Sequence, residues 1–153
     1  MTGKFLDMVP THAVARSLMD LTRGESLALL GSVPVGRLVH AHEVFPCIRL
    51  VNFVLQPNGI CFRTSETGDV LQLAADRAQV VFEADSYDAT AQSGWSVVVL
   101  GQLERVVDPL ALRWLADSAL DTWADDGHCE LVRVSLGEVS GRRAGGPARE
   151  KVT

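Results

Sequence analysis

The chain has little with which to staple itself, span a membrane or attract nucleic acid. Its three cysteines, Cys47, Cys61 and Cys129, are widely spaced and contain no CxxC pair. Neither a disulfide framework nor a structural zinc site is indicated, and the expectation is buried free thiols. No run approaches the ~18 consecutive apolar residues of a spanning helix, and MTGKFLDMVPTH at the start has no long apolar core behind its positive charge. The expected setting is the cytoplasm, with no membrane partner. Cations are in the minority, 14 Lys and Arg against 19 Asp and Glu for a formal charge of −5, so there is no basic footprint for DNA or RNA. HExxH and GxSxG are also absent, which leaves zinc-protease and serine-hydrolase chemistry without a motif.

What is present is ordinary globular material. The 153 residues are 47% hydrophobic and 22% charged, enough for one domain that buries roughly two-thirds of its unfolded surface. Residues 1–16 show no sustained period and read as an arm. Thr22 with Glu25 three residues on is a capping box that predicts a short helix over 23–31. VGRLVHA (35–41) and CIRLVNFVL (47–55) read as a hairpin, and the Asn58-Gly59 turn leads to a third strand over 60–64. Val70, Leu71 and Ala74 at helical spacing predict a helix over 70–76, followed by a strand over 79–85. The longest strand candidate is 94–108, with Gly101 as a bulge or bend that lets a sheet curl. Asp108-Pro109 starts a helix expected to reach Thr122, 128–136 alternates as a last long strand, and 138–143 adds a short extended segment. The predicted class is therefore mainly β with short helices, a six-stranded antiparallel barrel over residues 17–143, followed by a flexible tail over 144–153.

Side chains with chemistry are sparse. His40 and His42 share a strand face beside Glu43, but no third ligand stands at a recognisable spacing, so no metal is expected. Arg63 and Thr64 end a strand just before a helix, where guanidinium, hydroxyl and backbone N–H groups could converge on a phosphate; a surface arginine and a strand threonine are the plainer reading. Trp95 at the start of the long strand is either core or a platform for a flat ligand.

The stretches GRLVHA (36–41), RLVNFV (49–54), FRTSETGDVLQL (62–73), VVFEAD (80–85), GWSVVVLG (94–101) and VRVSLGEVSGRR (132–143) resemble the pyridoxamine 5′-phosphate oxidase-related flavin-binding split β-barrel family, in particular its actinobacterial members. The resemblance implies a six-stranded split barrel that forms a homodimer, with FMN or a deazaflavin in a cleft shared by the two subunits. By the same resemblance, Arg49, Val51, Asn52 and Phe53 lie along the flavin ring, and Arg63, Thr64, Ser65 and Val70 belong to the stretch near the ribityl phosphate. Trp95 and Ser96 line the same cleft, from either subunit.

Two departures bear on the cofactor. Relatives commonly carry glycine, a small polar residue and lysine before the helix leucine, whereas this chain has Gly68, Asp69, Val70 and Leu71 with an apparent extra residue in the turn. A carboxylate about 4 Å from a phosphate costs up to several kcal/mol at an effective dielectric near 20. Leu100 also stands where many relatives have arginine. The leading expectation is a flavin-binding oxidoreductase-like protein with a weakened phosphate site, acting on an undefined small molecule. The alternatives are a cofactor-free dimeric ligand-binding or interaction module and, behind it, haem binding, for which no motif speaks.

Overall fold

Residues 18–117, 120 and 129–145 are described by the computed structural model. The arm over 1–16, the tail beyond 145 and His128 lie outside the described residues. In chain order the elements are β1 (Leu18–Leu21), α1 (Arg23–Leu30), β2 (Val35–His42), β3 (Phe45–Asn52), β4 (Val54–Gln56), β5 (Gly59–Ser65), α2 (Asp69–Ala75), β6 (Gln79–Asp88), β7 (Ser93–Arg105), α3 (Pro109–Ala116), β8 (Cys129–Val134) and β9 (Glu138–Ala144).

The strands run β3-β2-β6-β7-β8-β5-β4, and β4 continues β3 after one residue, so the path closes on itself. Six strands, counting β3 and β4 as one, thus make an antiparallel ring. This is the six-stranded split barrel implied by the resemblance. The expected strand over 47–55 is divided because Phe53 turns inward, 4% exposed, and its N–H donates to the Pro34 carbonyl rather than to a neighbouring strand.

Alternation fills the ring. Leu38 from β2, Phe82 from β6, Val97 and Val99 from β7, Ile60 and Phe62 from β5, and Val132 and Val134 from β8 share one buried cluster. Each such side chain contributes roughly 1.5–3 kcal/mol through burial. β7 changes partners along its length: residues up to Gln102 pair with β6, and Leu103–Arg105 pair with β8. Gly101 lies at this change, where a Cβ would overlap the Ser135 carbonyl. Gly101→Ala is therefore expected to destabilise by about 1–3 kcal/mol, the usual cost of overpacking, as read from a denaturant melt.

Outside the ring, β9 pairs with β7 over Leu100↔Glu138 to Gly94↔Ala144, and β1 pairs with β9. The expected short segment over 138–143 is thus a full strand, and β1 is an element that the sequence pattern did not disclose. α1 is capped as expected: Thr22 Oγ1 accepts from the Glu25 N–H at 3.2 Å, and Glu25 Oε2 accepts from the Thr22 N–H at 2.8 Å. α3 starts at Pro109 with Asp108 as N-cap and runs to Ala116; Thr122, its expected end, lies outside the described residues. All three cysteines are free. Only Cys61 is buried, where loss of solvent pushes its thiol up to about 11; Cys47 and Cys129 are half-buried.

Candidate functional site

Among the described residues, β3 has a strand partner, β2, on one edge only along Phe45–Asn52; β5 is taken up by β4, after Phe53. A cleft of about 180 Å³ opens where β3 leaves β5. Leu38, Arg49–Asn52, Phe62–Ser65, Gly68, Asp69, Val70 and Cys129 line it. Seven of the residues singled out from sequence meet there: Arg49, Val51, Asn52, Arg63, Thr64, Ser65 and Val70.

The other three stand elsewhere. Phe53 faces the core, its ring centroid 4.9 Å from that of Phe82 in an edge-to-face contact. Trp95 and Ser96 are paired with Ser86 and Asp85 across β6 and line a separate groove with Tyr87, Leu18 and Arg142. Trp95 is half-buried and packs on the edge of the core cluster. Its strand is separated from β3 by β6 and β2, so within one chain it does not face the cleft. Leu100 lies outside the cleft as well, in a groove on the outer face.

Two cations line the cleft, and they differ in state. Arg49 Nη2 donates to Asp69 Oδ1 at 2.5 Å. Behind it is His40, 3% exposed, whose Nδ1 lies 3.1 Å from the Ala41 carbonyl. A carbonyl only accepts, so Nδ1 carries the proton and Nε2 is left to accept from Arg49 Nε at 3.4 Å. The histidine considered as a metal ligand thus props the guanidinium. Among the described residues no group of three His, Cys, Asp or Glu side chains is placed to hold a metal ion. Arg63 is the opposite case: its Nε is buried and has no hydrogen-bond partner among the described residues. A buried donor left unpaired costs roughly 1–3 kcal/mol, so this atom marks a place where an acceptor fits.

Gly68 is the N-cap of α2, without a side-chain bond, and Asp69 is the first residue of the helix. Burial alone would push its carboxyl up, but the hydrogen bond and charge of Arg49 hold it below the ordinary carboxylate range. A depressed pKa means that the pair contributes above that range and is lost as pH falls through the folded value. Arg49 is 48% and Asp69 32% exposed, so this contribution is no more than about 1 kcal/mol. Val70 is 3% exposed and belongs to the core cluster, so a lysine there would have to bury its stem before its charge reached the cleft.

An antiparallel ring that closes through β4 and opens between β3 and β5 defines a split β-barrel. Residues 22–143 match the family described as pyridoxamine 5′-phosphate oxidase, and the chain belongs to that family. Among solved structures it is similar to a FAD-binding protein from Mycobacterium smegmatis, with a TM-score of 0.70, 32% identity and coverage of 83% of this chain and 98% of that one. It is also similar to a putative pyridoxamine 5′-phosphate oxidase from Corynebacterium glutamicum, with a TM-score of 0.69, 28% identity and coverage of 85% and 95%. The uncharacterized protein Rv0080 of Mycobacterium tuberculosis is 39% identical over 99 residues, a match that spans 62% of this chain and 65% of that relative. These relatives place the chain with the actinobacterial members of the family. Among the described residues no helix is long and apolar enough to cross a membrane.

Proposed function

We propose that this protein is a homodimeric flavin-binding split barrel of oxidoreductase type, with FMN or a related flavin held in the β3–β5 cleft. The observation that carries the reading is the buried, unpartnered Nε of Arg63 in a cleft of the family's fold. The residues present fit the cofactor: Arg63 and Thr64 offer donors to an anionic tail, and the β3 segment Arg49–Asn52 offers a wall for the ring. A bound flavin supplies hydride or electron transfer, which explains why no acid–base pair needs to stand in the cleft. The chain's own part is to bind, orient and exclude water. An absorption spectrum of the purified protein, followed by titration with FMN and with a deazaflavin, tests this directly. A protein that stays colourless and binds neither would favour the cofactor-free module, the reading that the Arg49–Asp69 pair supports.

The size of the cleft and the greasy surface support the dimer reading. A cleft of about 180 Å³ is smaller than the roughly 300–1,000 Å³ of ordinary ligand pockets, so one chain supplies part of a site. The outer face of β3, β2, β6 and β7 carries the row Ile48, Val39, Val81 and Leu100 in register. Ile48 is 67% and Leu100 41% exposed. A contiguous apolar stripe of this kind on a monomer marks an interface, and a second copy covers it in this reading. Trp95 of the partner subunit and Ser96 of the partner subunit then supply the wall that each chain lacks. Sedimentation is expected to show a dimer at micromolar concentration, with about 2,000 Å² or more buried, and Ile48→Glu is expected to shift it toward monomer. A wild-type protein that sediments only as a monomer would remove the shared cleft.

A further inference from the structure

We infer that Asp69 is a built-in counter-anion that sets how much negative charge the cleft accepts. It does so by holding Arg49, and the inference rests on the flavin reading above. Arg49 and Arg63 are the cations that line the cleft among the described residues, and Asp69 is its anion. Arg49 is engaged from two sides, by Asp69 Oδ1 at 2.5 Å and by His40 Nε2 at 3.4 Å. His40 is itself fixed through Nδ1 to the Ala41 carbonyl, so the guanidinium is held against the carboxylate rather than left to swing toward a ligand. Asp69 Oδ2 lies 3.8 Å from His40 Nε2, beyond hydrogen-bond range, so the carboxylate is held on this cluster through Arg49.

Arg63 is then the one unpaired cation of the cleft among the described residues, and the three charged side chains sum to a single positive charge. A terminal phosphate monoester carries about −1.5 to −2 at neutral pH. It would bring a second negative charge into a site that offers one net positive charge, and it would meet Asp69 at short range in a partly desolvated cleft. A flavin whose ribityl chain ends in a hydroxyl meets no such opposition, since Arg63 donates to a neutral oxygen equally well in geometry. Asp69 thereby cancels much of what a phosphate would gain from the cleft, so FMN gains little over a phosphate-free flavin.

The test compares riboflavin, FMN and inorganic phosphate as ligands for the wild type, Asp69→Asn and the double variant Arg49→Met/Asp69→Asn. Flavin binding is read by fluorescence quenching and phosphate binding by thermal shift. In the wild type, riboflavin and FMN are expected to bind within about threefold of each other, and phosphate to have no effect up to millimolar concentration. Asp69→Asn frees Arg49 and is expected to tighten FMN by about tenfold or more, as a charge contact at effective dielectric near 20 allows, with riboflavin unchanged within about twofold. The double variant should lose most of that gain. A wild type that prefers FMN by more than about a hundredfold, indifferent to Asp69→Asn, would overturn the inference while leaving the flavin reading intact. Full retention of the gain in the double variant would overturn the part assigned to Arg49. If no protein binds flavin but Asp69→Asn acquires a phosphate-dependent thermal shift, the counter-anion stands and the flavin reading falls. If neither ligand binds any variant, both fall.

Discussion

Phe82→Ala is expected to lower stability by about 3–5 kcal/mol, the largest effect of any single truncation proposed for this fold. Phe82 is 0% exposed and sits in β6 between Leu38 of β2 and Val99 of β7. Its ring meets Phe53 at 4.9 Å and 70°, an edge-to-face contact that adds about 0.5–1.5 kcal/mol to the burial of area. The neighbouring backbone is shaped to admit it: a Cβ on Gly36 would stand 2.5 Å from Phe82 Cζ, so the strand that flanks the ring carries no side chain there. Removal of the ring leaves a cavity against the Gly36 backbone, which limits collapse. Urea unfolding by linear extrapolation, at one fixed protein concentration because a dimer's stability depends on it, provides the measurement. A loss below about 1 kcal/mol would mean that the barrel interior is not the core of the fold.

Arg63→Ala is expected to weaken FMN binding by about ten- to a hundredfold, the equivalent of one charge-assisted hydrogen bond worth roughly 1.5–3 kcal/mol. The same change should move riboflavin less, by about three- to tenfold, because the hydrogen bond it loses ends on a neutral hydroxyl rather than on a charged phosphate. Its effect on folding should be small or favourable, since the native side chain holds a buried Nε with no partner. Loss of FMN and riboflavin together, with a lowered melting temperature, would instead show that Arg63 serves the barrel and not a ligand.

Most of the barrel was legible because its strands carry a period of two with β-branched residues, as in VGRLVHA and GWSVVVLG. The helix starts were legible through their caps at Thr22 and Asp108, which are local chemistry. What stayed hidden depends on distant partners. β1 is four residues long and exists by pairing with β9, more than a hundred positions away, so no local pattern announces it. Phe53 was grouped with the ring wall because it continues an apolar strand, yet the turn inward that divides β3 from β4 is dictated by Phe82 and Pro34. Arg49 and Asp69 are twenty residues apart, and nothing in their spacing shows that they meet. Asp69 was visible as a departure in the turn, but its neutralisation by Arg49 required the fold. His40 gave a misleading signal: two histidines at strand spacing suggest a ligand pair, whereas one is buried behind Arg49 and the other exposed. Trp95 and Ser96 can reach the cleft only across an interface, which a single chain's pattern does not encode.

The central claim is that the β3–β5 cleft is the flavin site, and amide chemical-shift mapping during titration with FMN tests it most directly. The predicted result is a set of shifts concentrated at Arg49–Asn52, Arg63–Ser65 and Gly68–Val70, joined by Trp95 if the dimer completes the wall. Shifts that leave these segments unmoved, or that fall only on the outer groove around Val44 and Phe45, would contradict it.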